Sequence, residues 1–160
     1  PDTATIRAAS LDLFVDTKDG GSTVPKDSTL TVQQLTQDFT ESATFNKYDG
    51  ANTWATAGGD FDSTVLSSLD FSDAEDTSPH EVSPGDPFRF KSSAAFADAV
   101  QSNLADDVIG LIVRIPALES SYNQRNLFRF ASSDNGNTSY HPVLTVRYSW
   151  VPRGTVISIH

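Results

Sequence analysis

Along this chain the hydrophobic residues fall into short alternating runs separated by polar stretches rich in Gly, Pro, Asp and Asn. Ala9, Leu11, Leu13 and Val15 occupy every second position, which puts them on one side of an extended chain and predicts a half-buried strand. Leu30 and Val32 repeat the alternation within 28–35, and the charged segment 16–27, with Gly20, Gly21 and Pro25, reads as the turn between two antiparallel strands. Residues 65–71 and Phe88-Arg89-Phe90 predict short strands. Between them 72–87 is acidic, and its Pro79, Pro84 and Pro87 cannot donate to a ladder, so it belongs to a surface loop or a sheet edge. One stretch has the helical period. Across 92–106, Phe96, Ala99, Val100 and Leu104 share a face, Ser92 or Ser93 is placed to cap the first turn, and no proline interrupts. The most apolar run, 108–115, predicts a central strand with high burial, ended by Pro116. Residues 127–130 predict a further strand, 132–141 a turn built on Asp134-Asn135-Gly136-Asn137, and 143–150 a closing strand alternating through Leu144, Val146 and Tyr148. Pro152 and Gly154 then break the chain before a strand-like segment, 155–159. Many short strands with turn signals between them and one short helix predict an all-β fold, a jelly-roll-like β-sandwich. The sandwich domain covers 1–150, with 151–160 as a C-terminal strand-like extension.

Residues 35–64 fit neither period. Phe39, Phe45, Trp54 and Phe61 recur there among polar residues and a Gly58-Gly59 pair, which reads as a long covering loop anchored by its rings. Each buried ring removes on the order of 150–250 Å² from water, enough to hold an irregular segment against a sheet. Trp54 is expected to be such an anchor.

The same stretch carries a resemblance. The order Phe39-Thr40-Glu41, Thr44-Phe45-Asn46, Trp54, Gly58-Gly59-Asp60 resembles the so-called DNRLRE domains, a family of bacterial and archaeal extracellular modules that includes alginate-type carbohydrate-binding modules. Phe39 and Phe45 stand where that family usually has Trp. Ala4-Thr5-Ile6 with Ala9, Leu11 and Leu13 resembles the family's early strand, and Ser132-Ser133-Asp134 with Pro142, Leu144, Val146 and Tyr148 its closing strand. The resemblance spans roughly 1–148. It implies a non-catalytic module, secreted or at the cell surface, that binds a polysaccharide. In the family further strands precede the position matched by Pro1, so the sheet is expected to be completed in trans, by 155–159 of a neighbouring copy or by the preceding segment held as a separate chain, the rival being that 155–159 folds back into its own sheet.

At 160 residues the chain fits one domain, able to bury roughly 70% of the surface its unfolded form exposes. It has no Cys, which rules out disulfides and zinc–thiolate sites, and no Met, from which it is expected to be an excised or processed part of something longer. With 11 basic against 21 acidic residues the net charge is -10 and the pI about 4.4, which works against nucleic acid as a partner. A polyanion such as alginate is repelled at long range unless an arginine cluster or bound cations reverse the local field. No run of about 20 apolar residues and no charged-then-apolar leader is present, so membrane insertion is not expected.

Catalytic constellations find little support. His80, His141 and His160 lack the spacing of a helical zinc pair, there is no Gly-x-Ser-x-Gly elbow, and Gly58-Gly59-Asp60 lacks the Lys-Ser/Thr of a phosphate loop. An enzyme is not expected. Asp60 and Asp62 flank Phe61, so in extended chain both carboxylates point to one side and are candidate calcium ligands. Asp16 with Asp19 in a glycine turn is a second such pair. The competing reading is that these are solvated turn residues. Sugar recognition asks for an exposed ring to stack on a pyranose and planar polar groups to fork its hydroxyls. Tyr122 with Asn123, Gln124 and Arg125, and Tyr140 with Asn137 and His141, supply both in polar loops, where a tyrosine is otherwise an ordinary surface residue. Asn137-Thr138-Ser139 matches the N-glycosylation sequon and argues for an exposed turn. Beside polysaccharide binding stands a second class of function. The chain would then be a structural or adhesive surface or filament subunit that assembles by strand complementation.

Overall fold

The computed structural model describes residues 4–18, 23–24, 29–70, 80–81, 83–106, 108–116 and 128–150. Nine strands and one helix follow in order: β1 (Ala4–Lys18), β2 (Thr23–Val24), β3 (Thr29–Gln34), β4 (Ser67–Asp70), β5 (His80–Glu81), β6 (Pro87–Phe90), α1 (Ala94–Ser102), β7 (Leu111–Arg114), β8 (Phe128–Phe130) and β9 (Val143–Trp150). All pairings are antiparallel, and two sheets, β6-β1-β8 with β9 also on β1, and β4-β3-β7, make the expected all-β, sandwich-like fold; β2 and β5 form a small separate ladder.

The long strand β1 organises the first sheet. Ala9, Leu11 and Val15 are buried, as the alternation requires, and a bulge between Ile6 and Ala8 resets the parity so that Ile6 also packs against the core. This is why the alternation starts cleanly only at position 9. Along one edge β1 pairs first with β9, from Ala4↔Trp150 to Asp12↔Val143, and then with β8, from Val15↔Phe130 to Lys18↔Phe128. β8 and β9 are thus one interrupted strand with residues 131–142 looped out between them. The opposite edge pairs with β6 only over 11–14; further back, Ala9 N–H donates to Ser92 Oγ (3.1 Å) and Ile6 N–H to Gln101 Oε1 (2.8 Å), so side chains from around α1 replace a strand.

α1 forms where the 3.6-residue period placed it. Ser93 caps it by accepting from Phe96 N–H (3.0 Å) and donates its own hydroxyl to the Leu66 carbonyl, which ties the helix to the segment entering β4. Phe96, Ala99 and Val100 go into a core shared with Leu30, Val32, Leu66, Phe88 and Phe90. Leu104 lies past the helix, in a turn.

Two expectations are corrected. The apolar run 108–115 is not a buried central strand: among the described residues only Leu111–Arg114 of it pairs, and only with β3, its residues are half-buried, and Val108 is exposed. The central position belongs to β3, held between β4 and β7, where Leu30, Thr31, Val32 and Gln33 are all buried. Nor do four rings anchor the segment between β3 and β4. Trp54 is buried as expected and Phe61 half-buried, but Phe39 and Phe45 are exposed. Polar groups do the anchoring instead. Leu35 bridges Phe61, Thr36 N–H donates to the Asp60 carbonyl (2.8 Å), Asp62 N–H to that of Gln34 (2.8 Å) and Leu66 N–H to that of Val32 (2.8 Å), so the returning chain runs beside β3. Carboxylates of Asp49, Asp60 and Asp62 then satisfy the loop's own amides, which leaves less for aromatic burial to supply. The extension 151–160, including the segment expected to be donated, lies outside the described residues, as does Asp19.

Candidate functional site

Of the residues expected to meet a sugar, Tyr122 and Arg125 lie outside the described residues. Tyr140 is described, and the structure brings it onto the outer face of the first sheet. The residues of β1 that alternate with its buried set, Asp12, Phe14 and Asp16, open to that face, and the looped-out 131–142 folds over it. Tyr140 sits in the 3-10 turn Thr138–Tyr140, which Asn137 caps by accepting from Ser139 N–H (3.1 Å). Its ring is half-buried and nearly parallel to that of Phe14, at 17° with centroids 6.4 Å apart.

The floor under Tyr140 is a tight turn. Asp86 N–H donates to the Ser83 carbonyl (3.0 Å) across Pro84 and Gly85, and Gly85 has φ +88°, the type II geometry that Pro-Gly favours. A Cβ on Gly85 would come within 2.9 Å of the Tyr140 hydroxyl oxygen. Glycine is therefore required twice, for its φ and for the ring above it. Gly85 N–H in turn donates to the Val15 carbonyl (2.7 Å), which fixes the turn to β1.

Polar groups surround the ring pair. Asn135 Nδ2 donates to Asp16 Oδ1 (2.7 Å), its Oδ1 accepts from Asn137 N–H (2.8 Å), and its carbonyl lies 2.8 Å from His141 Nε2. A carbonyl can only accept, so Nε2 of His141 carries a proton. Asp12 faces Arg89 at 4.0 Å, with the arginine side chain largely exposed. The face combines aromatic area with amide, imidazole, carboxylate and guanidinium groups, the mixture that binds a hydroxyl-rich ligand by stacking and forked hydrogen bonds. Asn137 of the sequon is exposed, in agreement with the turn read from the sequence.

Asp60 and Asp62 are described, and both carboxylates accept hydrogen bonds from amides of their own loop. Asp60 Oδ2 accepts from Ala55 N–H (2.8 Å) and Oδ1 from Thr56 N–H (2.7 Å), while Asp62 Oδ1 accepts from Thr64 N–H (2.7 Å). Hydrogen bonds from the Thr64 hydroxyl and N–H hold the Asp62 carboxyl below its ordinary range. Among the described residues no group of three or more His, Cys, Asp or Glu is placed to hold a metal ion. Asp16, of the second pair, is engaged by Asn135.

Three features escaped the sequence reading. The Phe14–Tyr140 contact joins residues far apart in the chain, and no local pattern announces it. Arg114 lies over the Phe61 ring at 3.8 Å and donates to Gln33 Oε1 (2.9 Å), a link across the second sheet. Phe45, expected to be buried, is the most exposed aromatic residue of the long loop.

Comparisons with protein-family models, with curated proteins and with solved structures find no match for this chain. Among the described residues no helix is long and apolar enough to cross a membrane.

Proposed function

We propose that the chain is a non-catalytic, extracellular carbohydrate-binding module that takes a polysaccharide across the outer face of its first sheet. The observation that carries this reading is the Phe14–Tyr140 ring pair, seated on the Ser83-to-Asp86 turn and bordered by Asn135, His141, Asp16 and the Asp12–Arg89 pair. A platform built from packed rings loses little freedom on binding, which favours capture of a flexible polymer. The carboxylates on this face, Asp12 and Asp16, already face Arg89 and Asn135, which suits binding better than acid–base work. The resemblance to DNRLRE modules points the same way. The acidic chain favours a neutral polymer over a polyanion. A glycan array of plant, algal and bacterial polysaccharides, run with calcium and with chelator, tests the reading. Retention that Tyr140→Ala weakens without unfolding is the expected result; no retention of any polysaccharide in either condition refutes it, and retention indifferent to Tyr140 moves the site elsewhere.

One observation favours a second reading, a structural or adhesive subunit completed by a strand from another chain. β9 pairs with β1, no other described strand pairs with it, and Leu144 and Tyr148 on its core-side face are 40% and 65% exposed. An edge strand of this length with uncovered apolar residues is a template for strand addition. Light scattering on the purified chain separates the readings: a glycan-retaining monomer supports the first, a self-assembling and glycan-inert protein the second.

A further inference from the structure

Phe45 is 70% exposed, against 49% for Phe39, the other exposed ring of the same loop. What sets it apart from an ordinary surface side chain is how firmly it is held. The ring lies against the backbone of Gly58: a Cβ there would stand 3.0 Å from Cε2 and 3.6 Å from Cδ2 of the ring, and Gly58 has φ +95°, so no other residue type fits comfortably beneath it. Gly58 N–H donates to the Phe45 carbonyl (2.6 Å). On either side of Phe45, the Thr44 carbonyl accepts from Trp54 Nε1 (2.9 Å) and the Asn46 carbonyl from Trp54 N–H (3.3 Å). Three hydrogen bonds thus fix the backbone of 44–46 to Gly58 and to the buried Trp54. The backbone that carries the ring is ordered before any ligand arrives, and that part of the ordering entropy is already spent.

The surroundings narrow the ligand. Thr44, Asn46, Thr53 and Thr56 are exposed, neutral and polar, and the Asn46 side chain makes no hydrogen bond with the described residues. The nearby charges are occupied locally: Lys47 Nζ donates to the Gly50 carbonyl (3.1 Å), and Asp49 accepts from Ala51 N–H, Asn52 N–H and Asn52 Nδ2. One apolar ring face in a stretch of exposed hydroxyl and amide side chains matches a single pyranose, whose C–H face stacks on the ring while its rim hydroxyls meet polar groups.

We propose that Phe45 and Asn46 form a second glycan contact, a stacking platform for one pyranose unit of a neutral polysaccharide. This rests on the polysaccharide-binding reading above and adds a site carried by the second sheet's long loop, distinct from the Tyr140 face. Affinity gel electrophoresis through hydroxyethylcellulose, xylan, laminarin and galactomannan tests it. For each polymer that retards the wild type, Phe45→Ala is expected to weaken retention at least about tenfold with an unchanged melting curve, as truncation of a binding anchor does. Phe45→Trp should retain the polymer at least as well as the wild type. Phe45→Leu keeps apolar bulk against Gly58 and guards against a folding artefact; it should fold and still lose retention. If Phe45→Ala or Phe45→Leu binds as the wild type does, the platform is refuted while the Tyr140 reading stands. If the wild type is retarded by none of the four and by no polymer of the wider array, the general reading fails and this proposal falls with it.

Discussion

Replacing Trp54 by alanine removes the one large side chain buried within the long loop. The indole is 9% exposed, meets Tyr48 edge-on at 5.7 Å, and donates from Nε1 to the Thr44 carbonyl. Truncating a buried Trp costs about 3–5 kcal/mol through lost transfer energy and the cavity left behind. The lost indole hydrogen bond is one contribution within that range, about 1 kcal/mol net. For a domain of this size the loss corresponds to a fall in melting temperature of about 6–20 °C. How the loss is expressed depends on where Trp54 sits. It is not part of the main core cluster around Phe90 and Phe96, so its removal is expected to open the loop before the sandwich. Hydrogen exchange should therefore show the amides of Lys47, Trp54 and Gly58 losing protection first, while those of β1 and β3 keep theirs until global unfolding. Urea denaturation followed by circular dichroism supplies the global value, and Trp54→Phe, which keeps most of the ring area, should recover the larger part of it. A Trp54→Ala protein with a midpoint within about 1 kcal/mol of the wild type and unchanged loop exchange would show that the carboxylate-centred turns hold the loop without the indole.

Two further outcomes follow from the same loop. Hydrogen bonds from Asn52 N–H first, then the Asn52 side chain and Ala51 N–H, hold the Asp49 carboxyl below its ordinary range, so the folded state has the lower pKa. The stabilisation is fully present above the unfolded value of about 3.9 and is lost as pH falls through the lower folded value, so the melting-temperature gap between wild type and Asp49→Asn should hold from pH 7 to about 5 and close toward pH 2; a gap constant down to pH 2 contradicts it. For calcium, with Asp60 facing backbone donors through both oxygens, binding near millimolar strength at the Asp60/Asp62 pair would raise the melting temperature by about 1–2 °C at an equal ion concentration, and chelator should reverse it. A rise of 5 °C or more would require ligands beyond these two side chains.

Period-based signals were legible because they act locally. β1, α1 and β9 follow from alternation or the 3.6-residue spacing, and Ser93 is the cap that the sequence offered. The run at 108–115 misled because apolar content reports a preference for burial, whereas the rank of a strand within a sheet depends on which strands flank it. Phe39 and Phe45 misled for a related reason. An aromatic ring in a polar loop is assigned to the interior by hydrophobicity alone, and only the hydrogen bonds around Asp49, Asp60 and Trp54 reveal that the loop holds together without them. For the Tyr140 face, the surface loop containing Pro84 and the turn Asp134-Asn135-Gly136-Asn137 were both legible in the sequence. That the two turns meet over Phe14 depends on the pairing of β1 with both β6 and the β8–β9 strand, which no local signal encodes.

The interruption between β8 and β9 gives the outer face a modular character. Ala131 N–H still donates to the Phe14 carbonyl (2.8 Å), and Val143 resumes the ladder opposite Asp12, so a single residue opposite Leu13 would suffice to make the strand continuous. The ends of the loop are thus set by the sheet, a few ångströms apart, whatever lies between them. Loop length then costs the domain little, since closure entropy grows only logarithmically with the number of residues. The loop behaves as a cassette: Tyr140, Asn135, Asn137 and His141 can be exchanged, shortened or extended as a block while the buried side of β1 is untouched. Relatives of such a chain would be free to diverge in what they recognise without renegotiating how they fold, and an engineer seeking a new specificity would begin by randomising 132–142.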